Sequence, residues 1–336
     1  MVEVYFSTTI RSSPLHVSGE LIKLDWPSKT ILKKTLIAPQ GITEDPNPRG
    51  NTRGGRGIHL LNDQIIVASY DTLVIFDQDF NLQGAFSHSL MVGLHDFCPS
   101  SDKKLWITST DIDAVLEYDI VSRSMIGDYW PREMPHLQKA LRLHPRQIDK
   151  QADNRLLYLE GRPAEDTHLH LNACYGWQGD MYALFNAYGV VANLSRDEVW
   201  IQDPTLKGSH NLRIIDDGTL FINDSWGRTI RLYEMHTRQQ KQSIDLTQFK
   251  WVRNLARRYY LGYTAKNVLK ILRVGRIPVA RPIFVRGLDV VDEHVFVGIS
   301  PVAILQINWR TGTLVDAFQY TTDVHHAVHG LKVAVA

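Results

Sequence analysis

Apolar and polar positions repeat along the chain in a five-residue phrase. It appears as Leu21-Ile22-Lys23-Leu24-Asp25, Leu73-Val74-Ile75-Phe76-Asp77, Val115-Leu116-Glu117-Tyr118-Asp119, Ile230-Arg231-Leu232-Tyr233-Glu234 and Ile304-Leu305-Gln306-Ile307-Asn308. A strand phrase returning at intervals of roughly 40 residues predicts a β-propeller. A few residues before each phrase stands a second strand-like run: 4–8, 65–69, 105–110, 220–224 and 295–300. The unit is therefore a hairpin. A turn and a further run follow several of the phrases, as at 81–86 and 312–318, and complete a blade of four strands.

Upstream of each hairpin lies a short segment with an apolar third residue: Arg56-Gly57-Ile58, His95-Asp96-Phe97, His210-Asn211-Leu212, Arg286-Gly287-Leu288 and His329-Gly330-Leu331. In a propeller this segment leads into the innermost strand, so its first residue should approach the axis. A less regular copy surrounds Leu169-His170-Leu171-Asn172, and its hairpin lacks the acidic end. The count is six units. The last strand, 331–335, has no hairpin after it, and the first, 4–8, has no inner strand before it. The C-terminal strand is therefore expected to close the N-terminal blade, which removes exposed sheet edges. The prediction is an all-β chain forming one six-bladed propeller over residues 1–336, with insertions at 130–166 and 246–282.

Composition adds limits. With 336 residues, 44% apolar and 22% charged, the chain suits one soluble ring. Its net charge of +1 argues against a dedicated nucleic-acid binder. Two cysteines, Cys98 and Cys174, make neither a disulfide framework nor a paired-cysteine metal motif. No apolar block resembles a signal peptide or a membrane span, so a cytoplasmic location is expected. The first insertion carries four prolines around a short helix near 137–143. The second has no acidic residue but nine basic ones, with apolar residues at helical spacing from Val252 to Leu272, which predicts one or two basic amphipathic helices.

His329, His95 and His210 open blades one, three and five, so three imidazoles should converge on the axis. His170 would add a fourth. Such a set suits a divalent transition metal, zinc or iron, or else acid/base work without one. The plainer alternative is that these rings order the inner strands through waters and carbonyls. Arg56 and Arg286 hold the equivalent place in blades two and six and would clamp a carboxylate, phosphate or sulfate. Arg53, in a glycine-rich loop that also carries Arg49, would assist, and Asp289 and Trp226 are further candidates for substrate contact. Solvated arginines and a turn-capping aspartate are the bland counterparts.

The stretch Ser209-His210-Asn211-Leu212, Asp216-Asp217-Gly218-Thr219-Leu220-Phe221-Ile222-Asn223-Asp224-Ser225 and Ile230-Arg231-Leu232-Tyr233 resembles the blade signature of the gluconolactonase, strictosidine-synthase and NHL-repeat propellers. The segment Arg286-Gly287-Leu288 with Val295-Phe296-Val297-Gly298-Ile299-Ser300 is similar to uncharacterised bacterial propeller proteins. The resemblance implies a six-bladed ring with its ligand site at the axial mouth, in a superfamily of metal-dependent lactonases, a metal-independent condensing enzyme and interaction modules. Where the gluconolactonase group places a metal-binding asparagine and aspartate, this chain has His210 and His95 or His329.

The leading expectation is an enzyme acting on a small or medium anionic metabolite at the axial mouth. His95, His210 and His329 would be its catalytic or metal-ligating groups, together with His170 for the metal. The rivals are a non-catalytic module recruiting a protein partner or an anionic membrane through 246–282, and a biosynthetic enzyme needing no metal.

Overall fold

The computed structural model describes residues 2–11, 13–38, 54–61, 63–157, 168–271 and 282–335. They form six four-stranded antiparallel sheets. Blade one runs outward from the axis as β24 (His326–Val335), β1 (Val2–Ile10), β2 (Glu20–Asp25) and β3 (Thr30–Leu36). Blade two is β4 (Ile58–Leu61), β5 (Gln64–Ala68), β6 (Thr72–Asp77) and β7 (Leu82–Ser87), and blade three is β8 (Leu94–Ser101), β9 (Lys104–Ser109), β10 (Ala114–Asp119) and β11 (Ser124–Tyr129). Blade four is β12 (Leu171–Trp177), β13 (Asp180–Phe185), β14 (Val190–Asn193) and β15 (Glu198–Gln202). Blade five comprises β16 (His210–Ile214), β17 (Thr219–Asp224), β18 (Thr229–Glu234) and β19 (Gln239–Asp245). Blade six comprises β20 (Val285–Val291), β21 (His294–Ile299), β22 (Ala303–Asn308) and β23 (Thr313–Gln319).

The ring closes as expected. β24 pairs antiparallel with β1 from Val2 against Val335 to Ile10 against His326, so one blade holds both ends of the described chain.

The repeated phrase has a two-part physical cause. Middle strands lie between neighbouring blades, so both of their faces are buried and successive residues serve opposite cores. On β17, Leu220 and Ile222 pack towards blade four with Ala173, Tyr182 and Leu184, while Phe221 packs towards blade six with Val285, Val295 and Val297. Comparable clusters join blade one to blade six through Phe6, Ile22, Phe296 and Ile304, and blade one to blade two through Leu21, Ile58 and Val74. Each such side chain contributes about 1.5–3 kcal/mol by leaving water. The terminal acid or amide of the phrase ties the next turn. Asp77 accepts from the backbone N–H of Asp79 and Asn81, and Asp119 from those of Val121 and Ser122. Glu234 does the same for His236 and Thr237, as carboxylates and amides do at turns.

The first insertion supplies α1 (Pro135–Leu141), whose Leu137 and Leu141 pack on blades three and four. The second supplies α2 (Lys250–Ile271). Val252, Leu255 and Tyr259 of α2 are buried against Ile244, Leu305 and Ile307 of blades five and six, and Gln319 Nε2 donates to the Tyr259 hydroxyl at 3.0 Å. Lys250, Arg253, Arg257 and Arg258 lie on its exposed side. Residues 158–166 and 272–281 of the two insertions lie outside the described residues. Among the described residues no helix is long and apolar enough to cross a membrane.

Candidate functional site at the axial mouth

Each inner strand begins with a break in its pairing. In blade five His210 pairs with Asn223 and Leu212 with Ile222, so Asn211 is an extra residue, with φ at +54°. Blade six repeats this with Arg286, the extra Gly287 and Leu288, and blade one with His329, Gly330 and Leu331. Such a bulge re-aims the side chains on either side of it. Residues three positions apart consequently return to the axis, and they form two rings. The upper ring is His329, Arg56, His95, Leu171, His210 and Arg286, and the lower is Lys332, His59, Cys98, Cys174, Arg213 and Asp289. Between them the extra residues pack side by side. A Cβ on Gly330 would lie 2.1 Å from the Arg56 carbonyl oxygen, so only glycine fits there.

Blade four departs from expectation. Leu171 pairs with Phe185 and Ala173 with Leu184, which makes Asn172 the extra residue and gives the upper-ring place to the buried Leu171. His170 stands one residue earlier with φ at +57°, and from there its ring reaches the mouth from outside the ring register. The sequence segment Leu169-His170-Leu171 imitates the pattern of the other blades, but the pairing overrides it.

Three imidazoles meet at the upper ring. The ring centre of His95 is 4.6 Å from that of His329, 5.2 Å from His210 and 6.1 Å from His170. Nδ1 of His170 stands 3.2 Å from Nδ1 of His168, whose Nε2 is 3.6 Å from Asp111. The His210 tautomer follows from its partners. The Ser225 hydroxyl donates its one hydrogen to the Val285 carbonyl at 2.6 Å, so at 2.8 Å from His210 Nδ1 it must accept. Nδ1 therefore carries the proton, and Nε2 offers a lone pair to Arg286 Nη2 at 3.1 Å. Burial holds the pKa of His95, His210 and His329 well below the usual value. Neighbouring charge adds to this: His329 and His210 on His95, Arg286 on His210, and Arg286 and Arg56 on His329. All three rings are neutral at pH 7. Nδ1 of His95 is buried without a hydrogen-bond partner among the described residues.

A cavity of about 290 Å³ opens above these rings, lined by Arg11, Arg56, Arg286, His95, His170 and His329 together with Thr9, Tyr70, Gly93, Thr110 and Asp111. Among the described lining residues three guanidiniums face one carboxylate. Arg56 Nη1 donates to the Leu94 carbonyl at 2.6 Å and its guanidinium lies 5.4 Å from the Tyr70 ring centre. The Tyr70 hydroxyl donates to Asp111.

Two other residues predicted for the site, Asp289 and Trp226, lie elsewhere. Asp289 belongs to the lower ring, where it accepts from Lys332 at 3.1 Å and from the Val333 backbone at 2.8 Å. Trp226 does not line the cavity; its indole covers Gly208, 6.2 Å from the Phe284 ring, and is more than half exposed. Arg53 and Arg49 lie outside the described residues. No side chain of α2 lines the cavity among the described residues.

The donor set does not fit the zinc or iron expected from the histidine count. Among the described residues no three His, Cys, Asp or Glu side chains are placed to hold a metal ion. His210 shows why: one nitrogen is protonated and the other already accepts from a guanidinium. A dication would also sit beside fixed arginines. An anion meets the opposite electrostatics.

Arg11, Tyr70 and Asp111 were not anticipated. They follow the second strand of blades one, two and three, and in an antiparallel hairpin the end of that strand lies beside the start of the innermost one. The available signal was topological: every turn after a second strand faces the same mouth.

No family model and no curated protein matches the chain. Solved structures do. A protein of unknown function from Bacteroides caccae aligns over 99% of this chain and 98% of its own, with a TM-score of 0.57 at 5% identity. Streptogramin B lyase aligns over 80% of this chain and 69% of its own, with a TM-score of 0.46 at 10% identity. What the Bacteroides protein shares with this chain is the fold. That likeness is in keeping with the expected resemblance to uncharacterised bacterial propeller proteins.

Proposed function

We propose that this propeller is an enzyme acting on a small anionic metabolite held at the axial mouth. Arg56, Arg286 and Arg11 would bind the negative group, and the neutral imidazoles of His95 and His329 would accept or relay a proton. The observation that carries this reading is the shared cavity: three guanidiniums and uncharged, buried imidazoles line one space. A neutral imidazole is competent as a base only while it stays unprotonated, and the arginines that attract the anion also keep it so. About 290 Å³ corresponds to about ten waters' share of liquid volume, which suits a small metabolite.

The test is calorimetric titration with inorganic phosphate and with mono- and dicarboxylates at low salt, followed by a search for turnover of whichever anions bind. Binding should weaken at least about tenfold in Arg286→Gln. Equal binding of neutral analogues, or no effect of the substitution, would overturn the reading.

A second reading attaches to α2, whose exposed cations sit on the outer rim of blades five and six with no acid in the helix. Contact with an anionic membrane surface fits that charge. Flotation with phosphatidylserine vesicles, comparing wild type with Lys250→Glu/Arg257→Glu/Arg258→Glu, tests it; unchanged flotation removes this role.

A further inference from the structure

We infer that Cys98 and Cys174 form a paired oxidation site, at which a small hydroperoxide joins the two sulfurs in a disulfide that staples blade three to blade four.

The two cysteines stand 76 residues apart in the sequence, on the innermost strands β8 and β12 of neighbouring blades, with their Sγ atoms 4.0 Å apart. Both are free thiols, and both belong to the apolar cluster between these blades, with Val115, Leu137 and Leu171. A disulfide holds its sulfurs about 2.0 Å apart, so the pair must close by roughly 2 Å. β8 has slack for this. Its pairing with β9 breaks between Leu94 and Phe97 and again between Pro99 and Ser101, which leaves Cys98 on a short piece of ladder opposite Trp106. Pro99, next in the chain, has no N–H to give that ladder.

Burial selects the oxidant. Cys98 is 2% exposed and Cys174 is fully buried, so bulky disulfides and dyes are kept from them, whereas hydrogen peroxide is little larger than water. The two sulfurs also differ. Cys174 Sγ donates to the Trp106 carbonyl at 3.6 Å, and burial holds its pKa well above the usual thiol value, with Cys98 and Asp96 adding to the effect and Arg213 opposing it. Cys174 therefore keeps its proton, and Cys98 is the sulfur that takes the oxygen. Cys98 Sγ attacks one peroxide oxygen, the O–O bond breaks, and the thiol proton leaves with the other oxygen as water. Cys174 Sγ then attacks the sulfenic sulfur, the S–O bond breaks, and a second water carries off the hydroxyl and the Cys174 proton. The two sulfurs lose two electrons and the peroxide gains them. The bond closes a long loop in the unfolded chain, which favours the folded ring.

The test is peptide mass mapping of the full chain, reduced, desalted, treated with hydrogen peroxide while folded, and then alkylated in denaturant. A peptide pair joining Cys98 to Cys174 within one chain, lighter by two hydrogen atoms and separated again by dithiothreitol, is the expected result, together with a higher thermal midpoint for the oxidised protein. In Cys174→Ala, Cys98 should stop at the sulfenic acid and be trapped by dimedone. Two thiols that remain alkylatable after peroxide, sulfinic or sulfonic acids without a cross-link, or an oxidised form that melts no higher than the reduced one would overturn the inference. Should the variant fail to fold, the wild-type map and midpoint decide.

Discussion

At the mouth, Arg56 and Arg286 crowd against imidazoles that stay uncharged. Three residues further along the same inner strands, Arg213 lies 3.3 Å from Asp96 and 3.9 Å from Asp289, and Lys332 completes the set at 3.1 Å from Asp289. Asn211 joins the network through Asp96, Gly287 and Asn223. The lower ring thus answers buried charge with opposite charge and hydrogen bonds, whereas the upper ring sets guanidiniums beside neutral imidazoles and leaves His95 Nδ1 without a partner among the described residues. Matched buried charge reads as architecture, and buried imidazoles with depressed pKa values around a cavity read as a candidate site. The same strands serve both because the bulge between the rings lets each level be chosen separately.

That contrast breaks most readily at Arg213. Replacing it with Met leaves the Asp96 and Asp289 carboxylates buried with one cation fewer, and should cost about 3–5 kcal/mol in urea denaturation. A loss below about 1 kcal/mol would mean the lower ring is not the structural one. Gly330→Ala pushes a methyl into the Arg56 carbonyl between the two rings and should cost about 1–3 kcal/mol by the same measurement.

Acid titration reads the buried histidines of both rings. The folded pKa values of His95, His210 and His329 are depressed, and that of His59 falls to about 4 through burial and the nearby Lys332 and Arg213. The unfolded chain therefore binds more protons, so stability is complete above the unfolded histidine value near 6.5 and declines as pH falls from there towards the folded values. Each such histidine contributes about 1.4 kcal/mol per pH unit within its window. His95→Asn should flatten the slope between about pH 6 and 5 by close to one proton, and an unchanged slope would show that His95 already titrates normally.

The smallest stability effect is expected from Arg286→Gln at the mouth, about 1 kcal/mol, alongside the weakening of anion binding by at least about tenfold that the proposed function requires. In that variant the His210 resonance should titrate at higher pH by NMR, since the guanidinium facing Nε2 is gone.

Blade number, hairpin order and closure were readable because both faces of each middle strand are buried, which writes nearly continuous apolar runs such as Leu73–Asp77 into the chain. Five upper-ring residues were readable for a related reason: Arg56, His95, His210, Arg286 and His329 each precede a bulge and then an apolar residue. Blade four was not, because Leu169-His170-Leu171 and Leu171-Asn172-Ala173 satisfy that pattern equally and only cross-strand pairing chooses between them. Tyr70 and Asp111 were hidden because turns lack periodicity. The helix of the basic insertion could be drawn from spacing, but its seat on the outer strands depends on Val252, Leu255 and Tyr259 finding blades five and six, a matter of shape.

His329 lies on β24, and Arg11 directly follows the strand that β24 pairs with. The cavity thus takes neighbouring parts of its wall from two segments more than 300 residues apart in the sequence. Until the two meet, the basin has a missing wall. On the proposed reading the cavity is whole only in the sealed circle, and an anion held between these two strands would act as a latch across the seam.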